Sequence, residues 1–197
     1  MKRMLVLASW ACLVAAPAFA QYPKPAAEPK PATQAPSAAA DYAAAAKARG
    51  AKGRTPDAAF VIAAAQSGLA GMTFSKMALE KAGDPAVKRF AQEVADASGK
   101  MSEELKPLLA AQRAAEPTDL DQRNKKVGEW LAKLSGADFD RAYMSNMRAM
   151  RARDLMVFER ASTKAHDETL KAWASKNLPT IKEHQTAAAE ITKKIAG

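Results

Sequence analysis

Cysteine is nearly absent. The 197 residues hold one, Cys12, so a chain that has lost that residue has no disulfide, thiol nucleophile or cysteine-based zinc site. Histidine is almost as scarce, with His166 and His184 the only two. Imidazole-rich metal centres are thereby excluded, and little is left for Ser-His catalysis. Ser162, Thr163 and Ser175 are scattered helical residues with no strained nucleophile turn, and no Gly-rich phosphate loop follows a strand. Glu93, Asp96, Glu103 and Glu104 share one helix, the pattern of ordinary solvated charge. No run of five like charges occurs, since Lys and Arg are interleaved with Asp and Glu. Few segments alternate with period two, which argues against a sheet. Nor is there self-similarity at solenoid periods.

What is present begins with an export pattern. Lys2 and Arg3 precede an apolar run from Met4 to Ala16, too short to span a bilayer comfortably. Pro17 breaks the run, and Ala18-Phe19-Ala20 has the small-x-small form of a cleavage site. Residues 1–20 are therefore predicted to be a secretory signal cut between Ala20 and Gln21, giving a periplasmic or secreted protein. Ser9-Trp10-Ala11-Cys12 is a poor lipobox, which disfavours lipidation of Cys12. Loss of Lys2 and Arg3 lowers the formal charge from +9 to +7. That balance favours anionic envelope components, such as lipid head groups or acidic polymers, over nucleic acid as partners.

Residues 21–54 read as a disordered tail. Pro23, Pro25, Pro29, Pro31 and Pro36 stud an Ala/Lys background with too little apolar surface to offset its ordering entropy. Asp41 to Arg49 reads as a weak Ala-rich helix, ended by Gly50 and Gly53. Residues 55–197 read as the folded domain. Thr55-Pro56 and Asp84-Pro85 combine an N-cap with proline at the first helical position. Phe60, Ala64, Ser67, Gly71, Phe74 and Ala78 form one helical face. Val87, Phe90, Ala91, Val94, Met101, Leu105 and Leu108 form a second, with a kink expected at Pro107 near its end. Leu120, Val127, Leu131 and Leu134 mark a shorter helix ended by Ser135-Gly136. Phe139, Tyr143, Met147, Met150, Val157 and Ala161 mark another long one. Leu170 and Trp173 are assigned to a short helix, and Pro179 to the start of a last helix with stripe Ile181, His184, Ala188, Ile191 and Ile195. The expected architecture is an all-α four-helix bundle with a short helix in the crossover connection.

Four stretches carry a family resemblance. They are Phe60-Val61 with Ala63-Ala64-Ala65, Val87 to Gln92, Ser135 to Tyr143, and Leu178-Pro179-Thr180-Ile181 with His184. Together, over about residues 56–195, they resemble the DUF4142 family of exported bacterial proteins. The resemblance implies a ferritin-like bundle with no settled activity. It also implies ligand positions for a metal, most of them substituted here. A first-helix Glu becomes Gly71, an Asp-His pair becomes Asp96-Ala97, and a second Asp-His pair becomes Met150-Arg151. His184 and Asp96 are what remain, too few for a stable iron or zinc site.

Arg151 is the sharpest feature. It is expected to replace metal charge by pairing with Asp154, three residues on, and with Asp96 from the second helix; the alternative is an arginine that snorkels to solvent. His184 is either a core histidine or a remnant ligand. Met72, Met101, Met144, Met147, Met150 and Met156 invite a Cu(I) reading. Met144, Met147 and Met150 are expected to drift around their helix without converging, and methionine is a routine core filler. The functional expectation is a non-enzymatic binding or structural module without a cofactor. The alternatives are a metal-binding or redox protein using His184 with methionines, and an electrostatic binder of anionic envelope polymers.

Overall fold

The computed structural model describes residues 55–196. The expected signal and tail lie outside them. Five helices occur in the described chain: α1 Pro56–Lys81, α2 Pro85–Ala111, α3 Gln122–Leu131, α4 Gly136–Lys164 and α5 Glu168–Ile195. No strand occurs among the described residues. Each start but one has a side-chain cap that satisfies an otherwise unpaired amide. Thr55 accepts from the Ala58 amide at 3.1 Å, Asp84 from Ala86 at 2.6 Å, Asp121 from Asn124 at 2.9 Å, and Asp167 from Thr169 at 2.9 Å. Ser135 makes no such bond.

Helices α1 and α2 join through a tight turn at Ala82, Gly83 and Asp84, and α4 and α5 through Ala165, His166 and Asp167. Helix α1 runs against α4 in the opposite sense. Ser67 meets Asp154, Ser75 meets Tyr143, and Gly83 meets Asp140. Helix α2 likewise runs opposite to α5, with Glu104 at Trp173 and Phe90 at His184. The chain from α2 to α4 returns along α1. Gln66 bonds the backbone at Asp119 and Asp121, Gly128 lies beside the Phe74 ring, and Lys81 donates to the Ala132 carbonyl.

Two apolar clusters hold the helices. One gathers Phe74, Phe90, Leu131, Phe139, Tyr143 and Met147; the other gathers Phe60, Leu105, Leu109, Phe158, Trp173 and Ile181. In the second, Phe60 and Phe158 meet edge to face at 5.1 Å. Each such side chain contributes about 1.5–3 kcal/mol on burial. Between the clusters along the chain, each long helix carries buried or half-buried polar groups: Ser67 on α1, Ser98 on α2, Arg151 and Asp154 on α4, and His184 on α5.

The two hairpins share a register. Asp57 and Asp140, Phe60 and Tyr143, and Asp84 and Asp167 each stand 83 residues apart (140 − 57, 143 − 60, 167 − 84), and all but the two cap aspartates, Asp84 and Asp167, are buried. Buried Val87, Phe90, Ala91 and Val94 recur at the same offset as buried Leu170, Trp173, Ala174 and Asn177. This long repeat escapes a search at solenoid periods.

Two expected boundaries are wrong. Helix α3 is shorter than its stripe, running from Gln122 to Leu131, so Leu120 and Leu134 lie outside it. Pro179 does not start a helix; it lies inside α5, which continues from Glu168 to Ile195. Proline in a helix interior costs about 3 kcal/mol. Leu170, Trp173, Ala174, Ile181 and Ala188 are buried on one helix and offset that cost by packing. Just ahead of the proline, Ser175 and Asn177 also turn back to donate to the Lys171 and Trp173 carbonyls at 2.9 Å.

Candidate functional site

The polar groups between the clusters converge on Arg151. Its periodic position on α4 places it on the inward face with Met147 and Asp154. Arg151 is 5 % exposed and Asp154 8 %. Arg151 Nη1 donates to Asp154 Oδ2 at 2.8 Å, and Ser67 Oγ donates to the same carboxylate at 2.7 and 2.8 Å. The expected inward pairing with Asp154 is therefore present, and the snorkelling alternative is not. Asp96 is a correction. It is exposed and accepts from Gln92 at 2.9 Å on its own helix. The group that α2 turns inward is Ser98, two residues on. The periodicity already placed Val94 in the core, and Ser98 is one helical turn beyond it.

Glycine makes room for the guanidinium. A Cβ at Gly71 would sit 3.1 Å from Arg151 Nη2 and 2.9 Å from Ser98 Oγ. Gly71 thus leaves space for a cation. Ala97 is half-buried, and Met150 is buried within the first apolar cluster.

His184 is buried and stacks edge-on to Phe90 with ring centroids 6.0 Å apart. Burial, with the Arg151 charge adding to it, pushes its pKa down to about 4, so the ring is neutral near pH 7. Burial raises Tyr143 to about 12, opposed by its hydrogen bond to Ser75 at 3.0 Å and by the Arg151 charge. Met144, Met147 and Met150 serve as core residues. All three are buried in the same cluster, because α4 is covered by α1, α3 and α5 over a wide arc. Met156 points away from the core at 55 % exposure, and Met101 is half-buried beside the other cluster. The acidic residues of α2 do not converge either. Glu103 pairs with Lys106 at 2.7 Å, while Glu104 is held by Lys176 at 2.7 Å and Trp173 at 3.1 Å. The Lys176 bond holds the Glu104 carboxyl below its usual range.

These residues do not fit a resident metal. No group of three or more His, Cys, Asp or Glu side chains capable of holding an ion occurs among the described residues. Between the clusters the fixed guanidinium of Arg151 occupies the space beside Gly71 and would repel a cation.

Two further carboxylates went unnoticed in the sequence. Asp140 accepts from the amides of Gly83 and Asp84 at 2.8 to 3.2 Å. Asp57 accepts from the amides of His166 and Asp167 at 2.8 to 3.2 Å. Each sits near the start of the first helix of one hairpin, Asp57 in the first turn and Asp140 just past it, and ties down the turn of the other. The signal was available as Asp-x-x-Phe and Asp-x-x-Tyr behind the two helix starts.

The described residues form an all-helical fold whose middle holds a buried ion pair. The family described as "Domain of unknown function (DUF4142)" matches residues 32–191, and the chain belongs to it. The match begins ahead of the described helices. Comparisons with curated proteins and with solved structures return no match.

Proposed function

We propose that this chain is a non-enzymatic binding or structural module of the bacterial envelope, built on a degenerate ferritin-like four-helix bundle. The single observation that carries the reading is Arg151. A buried guanidinium, paired with Asp154 and Ser67 and facing Gly71, stands where a metal would need ligands. The bundle assignment rests on four long helices in two hairpins, with the connection from α2 to α4 returning the length of α1. Export rests on the charged, apolar and small-x-small pattern of residues 1–20. The rival reading, a copper, iron or redox protein using His184 with methionines, asks for donors that pack instead against Phe90 and the apolar cluster. Elemental analysis of protein purified from the envelope tests the choice. The expected result is no stoichiometric transition metal; a metal at full occupancy overturns the proposal.

A second reading is favoured by the outer face of α3 and the turn after it. Arg123, Lys126 and Trp130 on the helix and Lys133 just beyond its end are exposed, with Trp130 at 50 %. Cations flanking an exposed indole suit an anionic envelope surface. Sedimentation with anionic vesicles that weakens as salt rises, and weakens further in Lys126→Glu/Lys133→Glu, is the expected result. Retention indifferent to salt counts against it.

A further inference from the structure

Arg151 uses one edge of its guanidinium and leaves the other. Nη1 serves Asp154. Nε and Nη2, which form the second edge, are buried and have no hydrogen-bond partner among the described residues. That edge is the two-donor fork that ordinarily receives an anion in bidentate fashion. Leaving such donors unpaired in a buried place is costly.

The surroundings are built for something small. A cavity of about 20 Å³ touches Arg151, Ser67, Gly68, Ser98 and Ser102. By comparison, about 10–15 Å³ of such volume holds one water. Sulfate and phosphate are therefore too large. The cavity shares Ser102 and Leu105 with an open groove of about 130 Å³ between α1 and α2, lined by Leu69, Met72 and Leu109. A Cβ on Gly68 would sit 3.2 Å from Ser102 Oγ.

We infer that the fork of Arg151, with the hydroxyls of Ser98 and Ser102, is a site for one small monovalent anion of halide size, reached through the α1/α2 seam. The charge argument is direct. The unpartnered buried atoms of this cluster, Nε and Nη2, are both donors on a cation. The Asp154 charge is already engaged by Nη1 and by Ser67. A water there would accept from the two fork donors and donate to the two hydroxyl oxygens, whereas an anion accepts from all four groups as donors and makes charge-assisted bonds to the guanidinium. Asp154 is the one acidic group that lines the inner cavity, and Glu103 and Glu116 line the outer groove.

The inference rests on the reading of the middle as closed to metals, and its test separates the two. Thermal melting of the full exported chain is followed across a bromide series at constant ionic strength, made up with gluconate. Arg151→Lys keeps a charge for Asp154 but has no fork. Ser102→Val keeps the Arg151–Asp154 pair and fills the cavity. The wild-type melting temperature is expected to rise with each tenfold of bromide. The rise is expected to vanish in both variants. Crystals grown in bromide are expected to show an anomalous peak within hydrogen-bond distance of Nε and Nη2. Superimposed wild-type and Ser102→Val curves, with only a water at that position, overturn the anion site. If elemental analysis also finds no metal, the reading of the scaffold stands without it.

Discussion

Hairpin α1/α2 places Gly68 and Gly71 where hairpin α4/α5, 83 residues later (151 − 68, 154 − 71), places Arg151 and Asp154. At their ends the hairpins agree, since Asp57 and Asp140 each tie down the other's turn. In their middles they are opposites. One supplies charge and the other supplies room for it. The ends of the molecule are repeated architecture, whereas the middle is where this chain has departed from its own repeat.

The largest expected effect comes from breaking the middle. Arg151→Met leaves Asp154 buried with only Ser67 as partner, and is expected to cost about 3–5 kcal/mol in urea unfolding. Arg151→Met/Asp154→Leu removes both charges and is expected to recover most of that loss. If Arg151→Met leaves stability unchanged or raises it, the pair does not hold the middle together.

Next comes acid. Folded His184 takes up its proton only near pH 4, whereas an unfolded imidazole does so near 6.5. As pH falls through that window the unfolded state binds more protons, so stability drops, and below about 4 this contribution is constant. The full difference is about 3 kcal/mol. Relative to His184→Gln, the wild-type protein is expected to lose stability between pH 6.5 and 4 and to hold level above 6.5. Parallel melting curves for the two proteins across that window would place the imidazole in solvent.

The ends are expected to answer alike. Asp57→Ala and Asp140→Ala each strip the partner from two backbone amides, at about 2–3 kcal/mol apiece. Because the two sites lie at opposite ends of the helices, the double variant is expected to be additive. A marked inequality would mean that the repeat is one of pattern and not of energetics.

Much of this was legible before any coordinates. The faces of α1, α2 and α4 follow the spacing of Phe60, Val87 and Phe139 with their periodic neighbours, since local pattern and tertiary burial agree there. The pairing of Arg151 with Asp154 followed from three-residue spacing on an inward stripe. Asp96 was misplaced because family correspondence outweighed helical phase; the core phase set by Val94 leads to Ser98. Pro179 was misread because propensity is a local quantity, while the packing of Trp173 and Ile181 that carries the helix through it is not. The turn-binding roles of Asp57 and Asp140 depend on amides over 50 residues away, a partnership that no local window contains.

The smallest expected effect discriminates most finely between middle and periphery. Alanine exceeds glycine in helix propensity by about 1 kcal/mol. At Gly99, in α2, an added Cβ meets nothing within 4 Å, so Gly99→Ala is expected to stabilise by up to about 1 kcal/mol. At Gly71 the same methyl meets Ser98 Oγ at 2.9 Å and Arg151 Nη2 at 3.1 Å. Overpacking of about 1–3 kcal/mol then outweighs the propensity gain, and Gly71→Ala is expected to destabilise. The opposite signs are the informative result. If both substitutions stabilise, the guanidinium and the Ser98 hydroxyl have other positions to adopt, and Gly71 is not what makes room for Arg151.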